Sequence, residues 1–226
     1  RVAVLGATGS IGRSTLDVIQ RHPDRYQVTL LSAHRSVDDM EALCRTHQPA
    51  HAVMGDPDAA AALAERLTDL SAATVKSGAE ALDELVAEPN VDFVVAGIVG
   101  FAGLRPTLSA ARAGKTILLA NKEALVSAGG LFMETVRQGG ATLLPVDSEH
   151  NAMHQCLPVA SDGRPDMADV EKIILTASGG PFRGRSRSSL DAVTPAEACA
   201  HPNWSMGQKI SVDSATLANK GLELAE

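Results

Sequence analysis

Short apolar runs alternate with longer segments of helical polarity over the first two thirds of the chain. The runs begin at 1–5 and recur at about 27–31, 52–54, 73–75, 91–96, 116–120 and 142–146. Between them, apolar residues recur at helical spacing, as in 37–47, 57–67, 77–86 and 104–113. Alternating strands and helices are typical of a parallel sheet covered on both faces. The pattern therefore predicts a doubly wound, Rossmann-like α/β domain over residues 1–146.

The alternation ends in the last third of the chain. Residues 157–169 are polar and contain prolines and a glycine, which is typical of a connection between domains. A strand is predicted at 170–176, and a short helix follows Thr194, which with Glu197 forms a capping-box pattern. We therefore expect a second, incomplete α+β domain over residues 147–226.

Composition excludes several classes of function. The net charge is −7 without a basic cluster, which argues against nucleic-acid binding. No apolar run approaches the roughly 18 residues of a membrane span. Three widely spaced cysteines predict reduced thiols and a cytoplasmic setting. The first residues fall inside an apparent strand and the last inside an apparent helix, so we expect a piece of a longer protein.

The first strand runs directly into a glycine-rich loop and then a helix. Strand, glycine turn and helix open a dinucleotide-binding unit, because glycines let backbone N–H groups approach a pyrophosphate at the helix N-terminus. The alternative is a plain tight turn. The predicted cofactor contacts in this loop are Gly6, Thr8, Gly9, Ser10, Ile11 and Gly12. A second glycine loop, with Gly97 and Gly100, follows the strand at 91–96 and is expected beside the same cofactor.

The end of the second strand bears on the choice between NAD and NADP. NAD-binding proteins usually carry an acid there, whereas this chain has Arg35 and Ser36. An arginine with hydroxyl groups suits a 2′-phosphate, so NADP is preferred. Alternatively, Arg35 is an ordinary solvated charge and Ser36 caps the following helix.

Carboxylates follow the apolar run at 142–146. In an extended turn Asp147 and Glu149 point the same way, and their oxygens suit Mg²⁺ or Mn²⁺. The alternative is a helix start in which Asp147 or Ser148 is the cap. Lys122, just past the strand at 116–120, is a further site candidate, and its alternative is a surface helix start.

Phosphate-binding chemistry is predicted further along the chain. The turn at Ser178, Gly179 and Gly180 can present successive N–H groups to a phosphate. Hydroxyls, an amide and a lysine within 211–223 fit the same role, although a capped helix start is the alternative. The only tryptophan, Trp204, stands in an irregular segment and is expected to be exposed to solvent.

Taken together, the motifs resemble the 1-deoxy-D-xylulose 5-phosphate reductoisomerase family over the whole chain. Six motifs stand in that family's order: GATGSIG at 6–12, ANKE at 120–123, PVDSEHN at 145–151, ASGGPF at 177–182, HPNWSMG at 201–207 and NKGLE at 219–223. In the loop before the second helix, His34 and Ser36 replace a usual glycine and asparagine.

The resemblance implies an activity. Such an enzyme uses NADPH and a divalent metal (Mg²⁺ or Mn²⁺, with Co²⁺ also possible) to convert 1-deoxy-D-xylulose 5-phosphate into 2-C-methyl-D-erythritol 4-phosphate. This is a step of non-mevalonate isoprenoid biosynthesis. The substrate is a small phosphorylated ketose, and the full-length protein is expected to be a homodimer. The family continues past Glu226 into further catalytic sequence and a C-terminal helical domain.

The resemblance also implies roles for individual residues. The metal ligands are Asp147, Glu149 and Glu223. The contacts to substrate oxygens are Lys122 and Ser148. The phosphate site consists of Ser178, Ser214, Asn219 and Lys220. The lid over the substrate contains His201, Trp204 and Met206. Further cofactor contacts are Asn121 and Glu123.

Two other functions remain open from the residues. Another NADP-dependent oxidoreductase with a metal-free substrate domain would make Glu223 incidental. A non-catalytic dinucleotide-binding module that senses redox state would not need the carboxylates or the Ser-Gly-Gly turn. A metal-dependent NADPH oxidation assay with the ketose phosphate separates these possibilities.

Overall fold

The computed structural model describes residues 1–70, 73–160, 165–204 and 206–225. The chain forms two compact units, Arg1–Asp147 and Ser148–Glu226, here called unit 1 and unit 2. Part of the predicted connection, 161–164, and one position of the motif at 201–207 lie outside the described residues. No helix in the described part of the chain combines the length and apolar character that a membrane span requires.

Unit 1 contains a seven-stranded parallel sheet. Its strands are β1 (Val2–Leu5), β2 (Val28–Ala33), β3 (His51–Met54), β4 (Thr74–Ser77), β5 (Phe93–Ala96), β6 (Thr116–Leu119) and β7 (Thr142–Pro145). Their order across the sheet is β4-β3-β2-β1-β5-β6-β7. Its helices are α1 (Ser10–Arg21), α2 (Val37–His47), α3 (Pro57–Arg66), α4 (Gly78–Leu85), α5 (Leu104–Arg112) and α6 (Lys122–Gly139). The doubly wound fold predicted from the apolar pattern is confirmed.

The central strands are apolar at successive positions because helices cover both faces of the sheet. On β1, Ala3 and Leu5 pack into one core with residues of α4, α5 and α6. Val2 and Val4 face the opposite core, which contains residues of α1, α2 and α3. Each strand residue is therefore buried whichever way it points, and all four positions of β1 are buried.

The direction of winding reverses between β1 and β5. From β1 the chain adds β2, β3 and β4 on one side, and it then returns to place β5 on the other side of β1. Two glycine loops, 6–12 and 97–103, follow these two neighbouring strands. Open α/β sheets bind ligands at the carboxyl edge where the winding reverses, so this edge is the expected ligand crevice of unit 1.

The described part of unit 2 consists of helices and irregular segments. Its helices are α7 (Ser148–Cys156), α8 (Pro195–Cys199), α9 (Gln208–Ala215) and α10 (Ala218–Ala225). The capping box that precedes α8 is confirmed, since Thr194 and Glu197 hydrogen-bond to each other's backbone N–H groups.

The strand predicted at 170–176 is wrong. These residues belong to no strand or helix, and Ile173 and Ile174 are exposed. The apolar run was a sound signal of strand propensity. A strand, however, also needs a neighbour for its backbone N–H and C=O groups, and unit 2 offers none to this segment among the described residues.

Candidate active site

The glycine loop between β1 and α1 is closely packed against backbone atoms. Gly6 has a φ of +76°, and a Cβ placed on it would lie 2.8 Å from the carbonyl oxygen of Gly97. A Cβ on Gly12 would lie 2.5 Å from the carbonyl oxygen of Gly6. Gly9 is the N-cap of α1 and supplies no capping side chain. The first-turn N–H groups of α1 therefore remain suited to an anion.

Asn121 connects the second glycine loop to the start of α6. Its Nδ2 donates to the carbonyl oxygens of Ile98, at 2.6 Å, and Gly100, at 2.8 Å. Its Oδ1 accepts from the backbone N–H of Ala124, which caps α6. The Asn121 side chain is buried in these contacts. The structure therefore gives Asn121 a role in shaping the loop at 97–103.

Replacing Asn121 with alanine is expected to lower the free energy of unfolding by about 2–4 kcal/mol, because two partly buried carbonyl groups and a helix cap lose their partner. Asn121→Asp keeps a capping oxygen but turns a carboxylate oxygen towards both carbonyls, so it should destabilise at least as much. Urea unfolding measures both variants. A change below about 0.5 kcal/mol for Asn121→Ala, the size typical of surface substitutions, would contradict this role.

An ion pair lies at the same edge of the sheet. Lys122 is the first residue of α6, and Asp147 follows β7; β6 and β7 are parallel neighbours. The Nζ atom of Lys122 is 2.9 Å from Oδ1 of Asp147, with the two side chains 7% and 13% exposed. Lys122 is thus both a helix start and a buried cation at a strand end. Glu123, the next residue, is half-buried in the first turn of α6.

Arg35 is exposed at the end of β2 and pairs with an acid that sequence reasoning missed. Its Nε atom is 2.8 Å from Oδ2 of Asp56, which follows β3. Asp56 is also the N-cap of α3, and its position before a proline was the available signal. Ser36 stands at the N-cap position of α2, but its side chain makes no capping hydrogen bond.

In unit 2, the carboxylates of Glu149 and Glu223 both contact the ammonium group of Lys220. The Nζ atom of Lys220 is 2.7 Å from Oε1 of Glu149, which lies 71 residues earlier in the chain. It also donates to Oε2 of Glu223, and Asn219 donates to the other oxygen of that carboxylate. Asn219 and Lys220 stand four and three residues before Glu223 on α10, the spacing at which helical side chains meet.

The charges in this cluster are mutually stabilised. Burial raises the pKa of Glu149, but hydrogen bonds from Lys220 and Ser148 outweigh it, so the net pKa is lowered. Burial lowers the pKa of Lys220, but its bonds to Glu149 and Glu223 outweigh that effect and raise it. Glu223 is only 3% exposed. The cluster therefore consists of one half-buried carboxylate, Glu149, and one buried carboxylate, Glu223, held by one ammonium group.

The Ser-Gly-Gly turn packs on the end of α9. Gly179 and Gly180 both have positive φ, and a Cβ on Gly180 would lie 2.7 Å from the carbonyl oxygen of Ser214. Ser178 Oγ accepts a hydrogen bond from the backbone N–H of Gly180. The structure thus brings two predicted phosphate ligands, Ser178 and Ser214, into one region. The other two, Asn219 and Lys220, contact the carboxylates instead.

The segment with the only tryptophan is fixed by His201. Its Nδ1 accepts from the backbone N–H groups of Asn203 and Trp204, both at 3.2 Å. The ring proton therefore lies on Nε2, which donates to Ser178 Oγ at 3.0 Å. The ring of Trp204 stacks on His201 with centroids 4.8 Å apart. Trp204 is 58% exposed, which confirms that it is not a core residue. Met206 is half-buried.

Two profiles of one family match the sequence. The profile of 1-deoxy-D-xylulose 5-phosphate reductoisomerase matches residues 2–129, and that of the reductoisomerase C-terminal domain matches residues 143–226. The chain belongs to the 1-deoxy-D-xylulose 5-phosphate reductoisomerase family. The resemblance drawn from the six motifs is confirmed.

Members of this family are similar along the whole chain. The reductoisomerases of Ralstonia nicotianae and Pseudomonas putida are each 60% identical, over all of this chain and 57% of their own length. The chain therefore spans somewhat more than half the length of these relatives. A solved reductoisomerase in complex with NADPH, fosmidomycin and magnesium aligns with a TM-score of 0.91 at 49% identity, over 99% of this chain and 56% of its own. The Zymomonas mobilis reductoisomerase in complex with NADPH aligns at 0.88 and 50%, with the same coverage.

Proposed function

We propose that the protein converts 1-deoxy-D-xylulose 5-phosphate into 2-C-methyl-D-erythritol 4-phosphate, with NADPH as reductant and Mg²⁺ or Mn²⁺ as the metal. The observation that carries the proposal is the convergence of Glu149 and Glu223 on Lys220, because it joins two distant family motifs in one polar cluster. Solved family members contain NADPH and magnesium, which supports the same assignment for this chain. Neither rival function accounts for the convergence of these two carboxylates on Lys220.

The metal site would consist of Asp147, Glu149 and Glu223. The carboxylates of Glu149 and Glu223 both accept hydrogen bonds from the ammonium group of Lys220. Asp147 stands two residues before Glu149 in the chain. Carboxylate oxygens are the ligands that Mg²⁺ and Mn²⁺ prefer. The donor set therefore fits a divalent cation, whose charge would add to that of Lys220 in balancing the carboxylates. When bound, such a metal would act as a Lewis acid and polarise two oxygens of the substrate.

The substrate would be oriented from both ends. Lys122 and Ser148 would donate to its oxygens beside the metal site. Ser178 and Ser214, with the backbone of the Ser-Gly-Gly turn, would bind the phosphate, and Asn219 and Lys220 would complete that site. His201 would link the phosphate site to the lid, since it already donates to Ser178 and stacks on Trp204. The lid would exclude water from the reacting carbons.

The cofactor would lie along the carboxyl edge of the sheet in unit 1. The backbone of 6–12 would bind the pyrophosphate at the start of α1. Arg35 and Ser36 would bind the 2′-phosphate, and the loop at 97–103, held by Asn121, would pack beside the nicotinamide, which supplies the hydride. Glu123 would contact the cofactor from the first turn of α6. The close packing of Gly6 on Gly97 supports this arrangement, since it joins the two loops.

The full-length protein would act as a cytoplasmic homodimer without a nucleic-acid partner. Support for self-association comes from unit 2, where Ile173 and Ile174 are 49% and 73% exposed beside a cavity of about 420 Å³ that α7 also lines. Exposed apolar segments of this kind mark protein interfaces. Sedimentation equilibrium measures the assembly state, and a monomer at micromolar concentration would contradict this part of the proposal.

The direct test follows NADPH oxidation at 340 nm with the ketose phosphate, with Mg²⁺ or Mn²⁺ present and then with EDTA. Turnover that requires both the metal and the ketose phosphate supports the proposal. NADPH oxidation with other carbonyl compounds and without metal would favour a different oxidoreductase. Dinucleotide binding without turnover of any carbonyl compound would favour a redox-sensing module.

Arg35→Ala is expected to weaken NADPH binding by about 1.5–3 kcal/mol, because one charge-assisted contact to the 2′-phosphate is lost. NADH lacks that phosphate, so its affinity should stay nearly unchanged. Isothermal titration with each dinucleotide measures the difference. Equal losses for NADPH and NADH would remove Arg35 from the 2′-phosphate site.

A further inference from the structure

Asp56 is held next to Arg35 by the pairing of β2 and β3. This pairing continues beyond the strand ends: Gly55 N–H donates to the carbonyl oxygen of Ala33 at 2.8 Å, and Asp56 N–H donates to that of His34 at 3.2 Å. Gly55 leaves room for the ring of His34, because a Cβ there would lie 2.5 Å from His34 Nδ1. The acid thus reaches the end of β2 from the neighbouring strand.

Both carboxylate oxygens of Asp56 are engaged. Oδ1 accepts from the backbone N–H of Ala59 at 3.0 Å, which caps α3, and Oδ2 accepts from Nε of Arg35 at 2.8 Å. The Ala59 N–H and the Arg35 guanidinium both lower the pKa of Asp56, so the carboxylate is charged at neutral pH. Rotation of the carboxylate would cost the helix cap. Asp56 is therefore a rigid anchor for the arginine.

Arg35 is held through one nitrogen only. Within the described residues, the hydrogen bonds and ion pairs of its guanidinium are limited to the Nε contact with Asp56. The side chain is 73% exposed, and the described residues include no hydrogen-bond acceptor for either Nη amino group. An arginine fixed in this way presents a planar pair of donors, the geometry that binds phosphate oxygens.

Given the proposed use of NADPH, we infer that Asp56 is a specificity-determining residue that orients Arg35 for the 2′-phosphate. In NAD-binding sheets an acid at the end of the second strand binds the ribose itself. Here the acid stands just after the third strand and binds the arginine. Its charge also repels the phosphate, and over so short a distance the repulsion is only partly screened at physiological ionic strength, where the Debye length is about 8 Å. The inferred net effect of Asp56 favours binding, because ordering the long Arg35 side chain before binding outweighs that repulsion.

The test uses Asp56→Ser, which retains an oxygen to cap α3 but removes the carboxylate that holds Arg35. Isothermal titration at about 0.15 M salt should show the NADPH dissociation constant rising about three- to tenfold, the cost of ordering one long side chain on binding. The NADH dissociation constant should not change. Asp69→Ser is the matched control, since it breaks a similar pair with Arg45, 2.9 Å apart, near the other end of α2.

A double-mutant cycle separates orientation of Arg35 from a structural effect on α3. In an Arg35→Ala background, Asp56→Ser should leave NADPH affinity unchanged. A loss that persists in that background, or an equal loss for NADH, would overturn the inference. So would tighter NADPH binding, which would mean that Asp56 competes with the phosphate. An unmodified protein that binds neither dinucleotide would refute the proposed function, and the inference with it.

Discussion

Replacing Glu223 with glutamine is expected to lower the metal-dependent kcat/KM for the ketose phosphate about a thousandfold, equal to about 4 kcal/mol of transition-state stabilisation. Glutamine has almost the same shape, and its one carbonyl oxygen can accept from either Asn219 or Lys220, so the cluster should keep its fold. It lacks the negative charge that a divalent cation needs. Because Glu223 is buried, solvent cannot replace the lost ligand.

Steady-state kinetics at several Mg²⁺ concentrations and Mn²⁺ binding followed by electron paramagnetic resonance measure the effect of Glu223→Gln. NADPH affinity should be unchanged, since the proposed cofactor contacts lie in unit 1. Asp213→Asn is the matched control: Asp213 pairs with Lys209 at 2.7 Å on α9 and is assigned no role in the site. Activity of Glu223→Gln within tenfold of the unmodified protein would exclude this carboxylate as a metal ligand.

Gly12→Ala is expected to destabilise unit 1 and weaken NADPH binding together. The added Cβ would meet three backbone atoms of Gly6 and Ala7 at 2.5–2.6 Å, so α1 must move away from β1. Such overpacking costs about 3 kcal/mol, against about 1 kcal/mol gained because alanine favours a helix. The net loss of about 2 kcal/mol corresponds to a melting temperature about 4–8 °C lower.

NADPH affinity should fall at least about tenfold in Gly12→Ala, because displacement of α1 misplaces the N–H groups that would bind the pyrophosphate. Differential scanning calorimetry and titration calorimetry measure the two effects. Gly130→Ala is the control, since a Cβ at that position of α6 meets no atom within 4 Å. That variant should be as stable as the unmodified protein or up to about 1 kcal/mol more stable. Equal melting temperatures for both variants would show that the backbone around Gly12 has room for a Cβ atom.

Most elements of unit 1 were predictable from the chain because their signals are local. The helix Val37–His47 was predicted to the residue, and β3 and α3 within one residue. The apolar runs identify buried strands, and glycines or prolines between them mark the ends of elements. The strand predicted at 170–176 failed for a non-local reason: propensity does not supply the neighbouring strand that hydrogen bonding requires.

In the candidate site, too, some residues could be recognised from the local sequence, whereas others are brought together only by the fold. Gly6, Gly9 and Gly12 were recognised from spacing, because the chemistry of a dinucleotide loop lies within a few consecutive residues. Asp56 was missed, because its partner Arg35 is 21 residues away and the two meet only through strand pairing. The contact of Asn121 with the cofactor stays a prediction. Its hydrogen bonds to the loop at 97–103 join residues 21 and 23 positions apart, which no spacing rule reveals.

By itself, the sequence determined the parallel α/β architecture, the glycine loops and the motifs of the family, since each depends on residues that are close in the chain. Only the tertiary structure decided which charged groups meet. Lys220 joins Glu149, 71 residues away, and Arg35 is oriented by an acid from another strand. The physical reason is that ion pairs depend on distances of a few ångströms in space. The packing of helices and strands sets those distances, and sequence separation does not.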